Sequence, residues 1–81
     1  MILQEAIAGR ITQLCKEKAL TPRALSIICG VDSSTIYSIL GGVKSKNAEV
    51  STIKKICDGV EITLGEFFST PEFDKLEQEI K

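Results

Sequence analysis

Three groups of side chains in this sequence could do chemistry, and their spacing sorts them. Cys15, Cys29 and Cys57 come first. A structural zinc site needs four ligands, and the chain has no histidine and no paired CxxC spacing. The three thiols therefore read as small core hydrophobes. The second group is Gly41-Gly42-Val43-Lys44-Ser45, which invites comparison with a phosphate-binding loop. That motif needs glycine directly before Lys-Ser, and Val43 stands there instead. General-base or metal chemistry lacks a histidine, and no carboxylates pair on an apolar segment, so an enzyme is not expected. The third group remains. Ser33, Ser34, Thr35, Tyr37 and Ser38 form a run of hydroxyls, followed by Lys44, Ser45, Lys46 and Asn47. Such groups donate and accept hydrogen bonds and neutralise anions, which is the chemistry of recognition.

The stretch Leu20 to Gly42 must position them. Thr21 can cap a helix, and Pro22 suits the first helical position, where a missing N–H costs nothing. Ala24, Leu25, Ile28 and Cys29 follow at helical spacing. Gly30 ends that helix because glycine takes a left-handed residue without steric cost. Val31 can plug the elbow. Asp32 or Ser33 then caps a second helix over 33–40, with Ile36, Ile39 and Leu40 on one side and Ser34, Tyr37 and Ser38 on the other. Gly41-Gly42 stops it. Two short helices joined by a tight glycine-containing turn form a helix-turn-helix unit, whose second helix enters the DNA major groove.

The flanking segments supply the core. Leu3, Ile7, Ile11, Leu14 and Cys15 mark one face of a first helix running from about Ile2 to Lys18. Val50, Ile53, Ile56, Cys57 and Val60 mark a fourth helix, with Lys54 and Lys55 outside. Thr63-Leu64-Gly65-Glu66 matches a capping box opening a short fifth helix that buries Phe67 and Phe68. Pro71, Glu72 and Asp74 favour one more helix start. Phe73, Leu76 and Ile80 then make a narrow apolar seam, too short for a coiled coil, which packs on the domain or on a twin. The expected fold is all-α: a five-helix domain over 1–68 and a short C-terminal helical tail over 69–81.

Composition agrees with one small domain: 81 residues, 43% hydrophobic, net charge −1. No apolar run approaches the ~20 residues of a membrane span. Glu5 and Arg10 break any secretory signal, and an odd cysteine count without one places reduced thiols in a cytoplasm. The charge is uneven. From Arg10 to Lys55 eight bases face three acids, whereas from Ile56 onward two bases face seven acids. A basic first part suits a reader of polyanions whose acidic end faces elsewhere.

With these parts in this order, the chain from Ala8 to Phe68 resembles the Cro/phage-repressor type of helix-turn-helix transcriptional regulators. The resemblance rests on RITQLCKEKALT, LTPRALSIICGVDSSTIYSILGG and KSKNAEVSTIKKICDGVEITLGEFF. It implies that Ser33, Ser34, Tyr37 and Ser38 read DNA bases. Thr21, Arg23, Thr35, Lys44, Ser45, Lys46 and Asn47 would contact the sugar-phosphate backbone. Serine reads bases only modestly, since it both donates and accepts. Several positions depart from the pattern. Ala19 and Glu61 stand where the family ends helices with glycine: either Ala19 accepts strain or its helix ends slightly differently, and either Glu61 accepts strain or Gly59 stops the helix earlier. Cys15 and Leu40 stand where the family often places an arginine–glutamate pair; replacing both members avoids a stranded charge and implies a packing contact. Pro22 replaces a glutamine that touches phosphate. Ile27 and Ile28 occupy positions that are mostly polar.

The function implied is a sequence-specific DNA-binding transcriptional regulator that needs no cofactor and has double-stranded DNA as partner. No membrane partner and no small-molecule site is expected. A lone domain makes few base contacts, so a weak or DNA-induced homodimer is expected. The alternative is a protein-interaction or antitoxin-like adaptor that keeps the fold and binds through Ile27/Ile28 or the tail seam.

Overall fold

Helix α1 spans Leu3–Glu17 because apolar residues recur on one face. Ala6, Ile7, Ile11, Leu14 and Cys15 are all buried on that face. The Glu5 carboxylate accepts the Ile2 N–H at 3.0 Å, satisfying one donor that the first turn leaves open. The structure is a computed structural model and describes residues 2–41, 48–78 and 80. Among these residues α1 is followed by α2 (Pro22–Cys29), α3 (Ser33–Leu40), α4 (Val50–Gly59), α5 (Leu64–Phe67) and α6 (Pro71–Asp74). Every element is helical, as the sequence implies. No described helix is long and apolar enough to cross a membrane.

Three helices end in the same way. Leu20 N–H reaches back to the Cys15 carbonyl, Val31 N–H to Ser26 and Ile62 N–H to Cys57, each five residues earlier. This hydrogen bond requires a left-handed residue just before the donor. Those residues are Ala19 at φ 55°, Gly30 at φ 69° and Glu61 at φ 63°. Glycine solves the problem once, and the other two ends accept strain of ~1 kcal/mol each.

Gly59 does not stop α4 early; it is the last residue of that helix. Its role lies in packing. A Cβ at position 59 would stand 2.6 Å from Cys29 Sγ and 3.2 Å from Cys29 Cα. The hydrogen side chain lets α4 approach α2 at that crossing. Helix α2 also packs on α3, α1 on α3, and α4 on α5. Ile11, Leu25, Ile36, Ile56, Cys57 and Phe67 meet at the centre with no solvent exposure. One expected core position fails: Val50, the first residue of α4, is 66% exposed.

The C-terminal end closes on an aromatic group. Thr63 and Glu66 complete the capping box, with Glu66 N–H on Thr63 Oγ1 at 3.0 Å and Thr63 N–H on Glu66 Oε1 at 2.8 Å. Phe67 is fully buried and Phe68 half-buried. Phe68 meets both Phe67 and Phe73 edge-on, with centroids 4.9 Å apart in each case. Phe73 thereby packs on the domain, and α6 lies against α1. The expected tail seam does not assemble. Helix α6 lasts one turn, Leu76 is half-buried, and Ile80 is 84% exposed. Four residues cannot carry an i, i+7 alignment.

Candidate nucleic-acid interface

The elbow at Gly30 sets the pose of α3. Thr21 caps α2 by accepting the Ala24 N–H on Oγ1 at 3.1 Å. Pro22 fills the first helical position, and the left-handed Gly30 turns the chain out after Cys29. Val31 is half-buried against the core at the turn. Asp32 occupies the N-cap position of α3, but its side chain makes no capping hydrogen bond, contrary to the expectation from sequence. At φ −57° and ψ 139° its backbone still starts the helix: its carbonyl accepts from Thr35 N–H at 3.0 Å and Ile36 N–H at 3.2 Å. The carboxylate stays in solvent.

Ile36 and Ile39 anchor α3, at 0% and 7% exposure. With that face buried, helical geometry turns Ser34, Tyr37 and Ser38 outward, and all three are exposed. Ser33 and Thr35 are half-buried at the shoulders. Ser34, Thr35 and Ser38 share one groove of about 480 Å³ with Ile39, Ala48, Glu49 and Thr52. Tyr37 and Ser33 lie on α3 outside its lining. Tyr37 is 55% exposed, a large ring left in water. The expected backbone-contacting residues divide. Thr21 and Arg23 are exposed at the start of α2, with the Thr21 hydroxyl engaged as a cap. Lys44, Ser45, Lys46 and Asn47 lie outside the described residues.

Among the described residues, charge near α3 is sparse. The helix itself carries none, and its nearest sequence neighbours among the described residues, Asp32 and Glu49, are acidic. Two bases of the positive half are committed elsewhere. Arg10 donates from Nε to the Phe67 carbonyl, and the exposed Lys54 pairs with Asp58. Glu49 and Thr52 were not foreseen, because the groove forms only where α4 begins beside α3. No local signal marked Glu49, which precedes α4 as its N-cap residue in phase with Ile53 and Ile56.

Neither Ile27 nor Ile28 reaches the core. They are 73% and 50% exposed, with Ile28 lying beside Gly59. Cys15 and Leu40 line a common apolar cleft of about 350 Å³ with Leu20 and Pro22, where the resemblance placed an ion pair. Cys15 is buried and Leu40 half-buried. All three thiols are free. Burial, and then the neighbouring Cys15 and Cys57, push the Cys29 thiol up to about 11. Among the described residues no group of three or more His, Cys, Asp or Glu side chains could hold a metal ion.

Comparison with known proteins places this geometry. The sequence model of the Cro/C1-type HTH DNA-binding domain matches residues 10–72. The crystal structure of the prophage Lp1 protein 11 superposes with a TM-score of 0.81 at 25% sequence identity. That match covers 94% of this chain and 100% of the other. No curated protein sequence matches the chain.

Proposed function

Because the chain belongs to the Cro/C1-type helix-turn-helix DNA-binding domain family, we propose that it is a sequence-specific transcriptional regulator that reads the DNA major groove with α3. The observation that carries this reading is the hydroxyl-rich exposed face of α3, backed by Ile36 and Ile39. Ser33, Ser34, Tyr37 and Ser38 read base edges. Each lost base contact costs at most ~1–3 kcal/mol, and serine lies at the low end of that range. Thr21, Arg23 and Thr35 touch the sugar-phosphate backbone. So do Lys44, Ser45, Lys46 and Asn47, which stand between α3 and α4 in the sequence. The protein acts by binding rather than catalysis, in the cytoplasm, and pairs weakly or only on DNA at half-sites ~34 Å apart.

Selection from a random duplex library tests this reading. An enriched operator is expected, with affinity falling steeply as salt rises. Alanine at Ser34 or Ser38 should change the preferred bases, whereas an unchanged operator for S34A, Y37A and S38A would remove α3 from base reading. The exposed Ile27 and Ile28 favour one other reading, a protein-interaction or antitoxin-like module. Binding to an apolar protein surface would show little salt dependence and no enriched duplex.

A further inference from the structure

Glu49 sits in the groove beside Ser34 and Ser38, at the N-cap position of α4. It is exposed, and its carboxylate makes no capping hydrogen bond. Among the described residues lining this groove there is no lysine or arginine. An ionised carboxylate only accepts hydrogen bonds. A duplex amino group can supply its donor, whereas a phosphate close by would repel it.

In the major groove a duplex offers such donors at two places, the N6 amino of adenine and the N4 amino of cytosine. Adenine presents the acceptor N7 directly beside its amino group, so a carboxylate gains one contact and suffers one repulsion there. The cytosine edge presents N4 without a neighbouring acceptor of its own. The hydroxyls of Ser34 and Ser38 line the same groove and adapt to either donor or acceptor.

We propose that Glu49 is a specificity-determining residue that accepts from the N4 amino of a cytosine, fixing a C·G pair at one position of the site. The proposal rests on α3 being the recognition helix. Glu49 discriminates by charge where the serines of α3 adapt, so this position is the most sharply defined in the operator.

Selection from a random duplex library with the full chain and its E49Q and E49A variants tests it. The unaltered protein should enrich a sequence with cytosine fixed at one position. In E49A the preference for cytosine there should fall at least five-fold, with the other positions unchanged. E49Q should shift that position toward adenine, which matches an amide's donor and acceptor. Thermal melting should be alike for all three chains. The same base preferences in all three chains would overturn the proposal while leaving the α3 reading intact. So would E49A binding every duplex more tightly to an equal degree, since Glu49 would then act only by repelling the backbone. If the unaltered protein enriches no sequence, the α3 reading fails and the proposal with it.

Discussion

Arg10 and Phe67, 57 residues apart, are joined twice. The Arg10 Nε donates to the Phe67 carbonyl at 2.8 Å, and the guanidinium carbon lies 5.8 Å from the Phe67 ring centroid. A second guanidinium nitrogen reaches the Glu66 carbonyl at 3.0 Å. Arg10 thus supplies donors to the carbonyls at the end of α5 and pins that short helix to α1. R10A should lower stability by about 2 kcal/mol, because it removes several hydrogen bonds from one charged group. Lysine should restore little, lacking the planar fork. Calorimetry reads the loss, and the salt slope of DNA binding should not change.

Ala19 and Glu61 hold left-handed conformations that glycine adopts freely. A19G and E61G should each raise stability, by up to about 1 kcal/mol after the extra freedom of the unfolded chain is counted. G30A should lower it by a similar amount. Urea unfolding of the three variants measures both signs.

Cys15 and Leu40 face a common apolar cleft. C15R alone should cost about 3 kcal/mol, by placing a charge there without a partner. Adding L40E should recover part of that loss. Strictly additive effects in this cycle would mean that the two side chains do not meet.

Burial holds the Cys29 thiol neutral well above its ordinary range. The folded chain should therefore react with iodoacetamide at pH 8 far more slowly than the urea-unfolded chain. The linkage has a definite sign. Below about pH 9 the thiol is neutral in both states and full stability is present. As pH rises from there through about 11, the unfolded chain ionises first and stability falls. C29S should flatten that limb of the pH profile.

Lys44 and Lys46 test the backbone contacts. Alanine at both should weaken binding to all duplexes alike and reduce the salt slope by roughly two units. An unchanged slope with intact binding would place these lysines outside the interface.

Much of this molecule is legible in its sequence. The 3.6-residue stripes mark α1 to α4, Gly30 marks the elbow, and Thr63 with Glu66 marks the start of α5. Local rules run out where a contact joins distant segments. A cap residue at Asp32 says where α3 starts, yet not whether its carboxylate turns in. Val50 fits the α4 stripe yet lies exposed at its first residue. Arg10 counts as surface charge until α5 folds over it. The left-handed turns at Ala19 and Glu61 were visible only through resemblance, because neither residue type asks for one. Glu49 joins the site because two helix ends converge, which no single window of sequence contains.

The near-contact of Gly59 with Cys29 makes the α2–α4 crossing a fulcrum. Helix α2 is the arm, Gly30 the wrist, and α3, on the proposed reading, the hand held out to the duplex. Adding one methyl group at position 59 would pry the arm away from α4 at Cys29, a residue outside the proposed DNA contacts. The hand would keep its side chains and tilt. Such a protein would still prefer the same letters but grip every one of them less well, so aim and reading can be damaged separately in this fold.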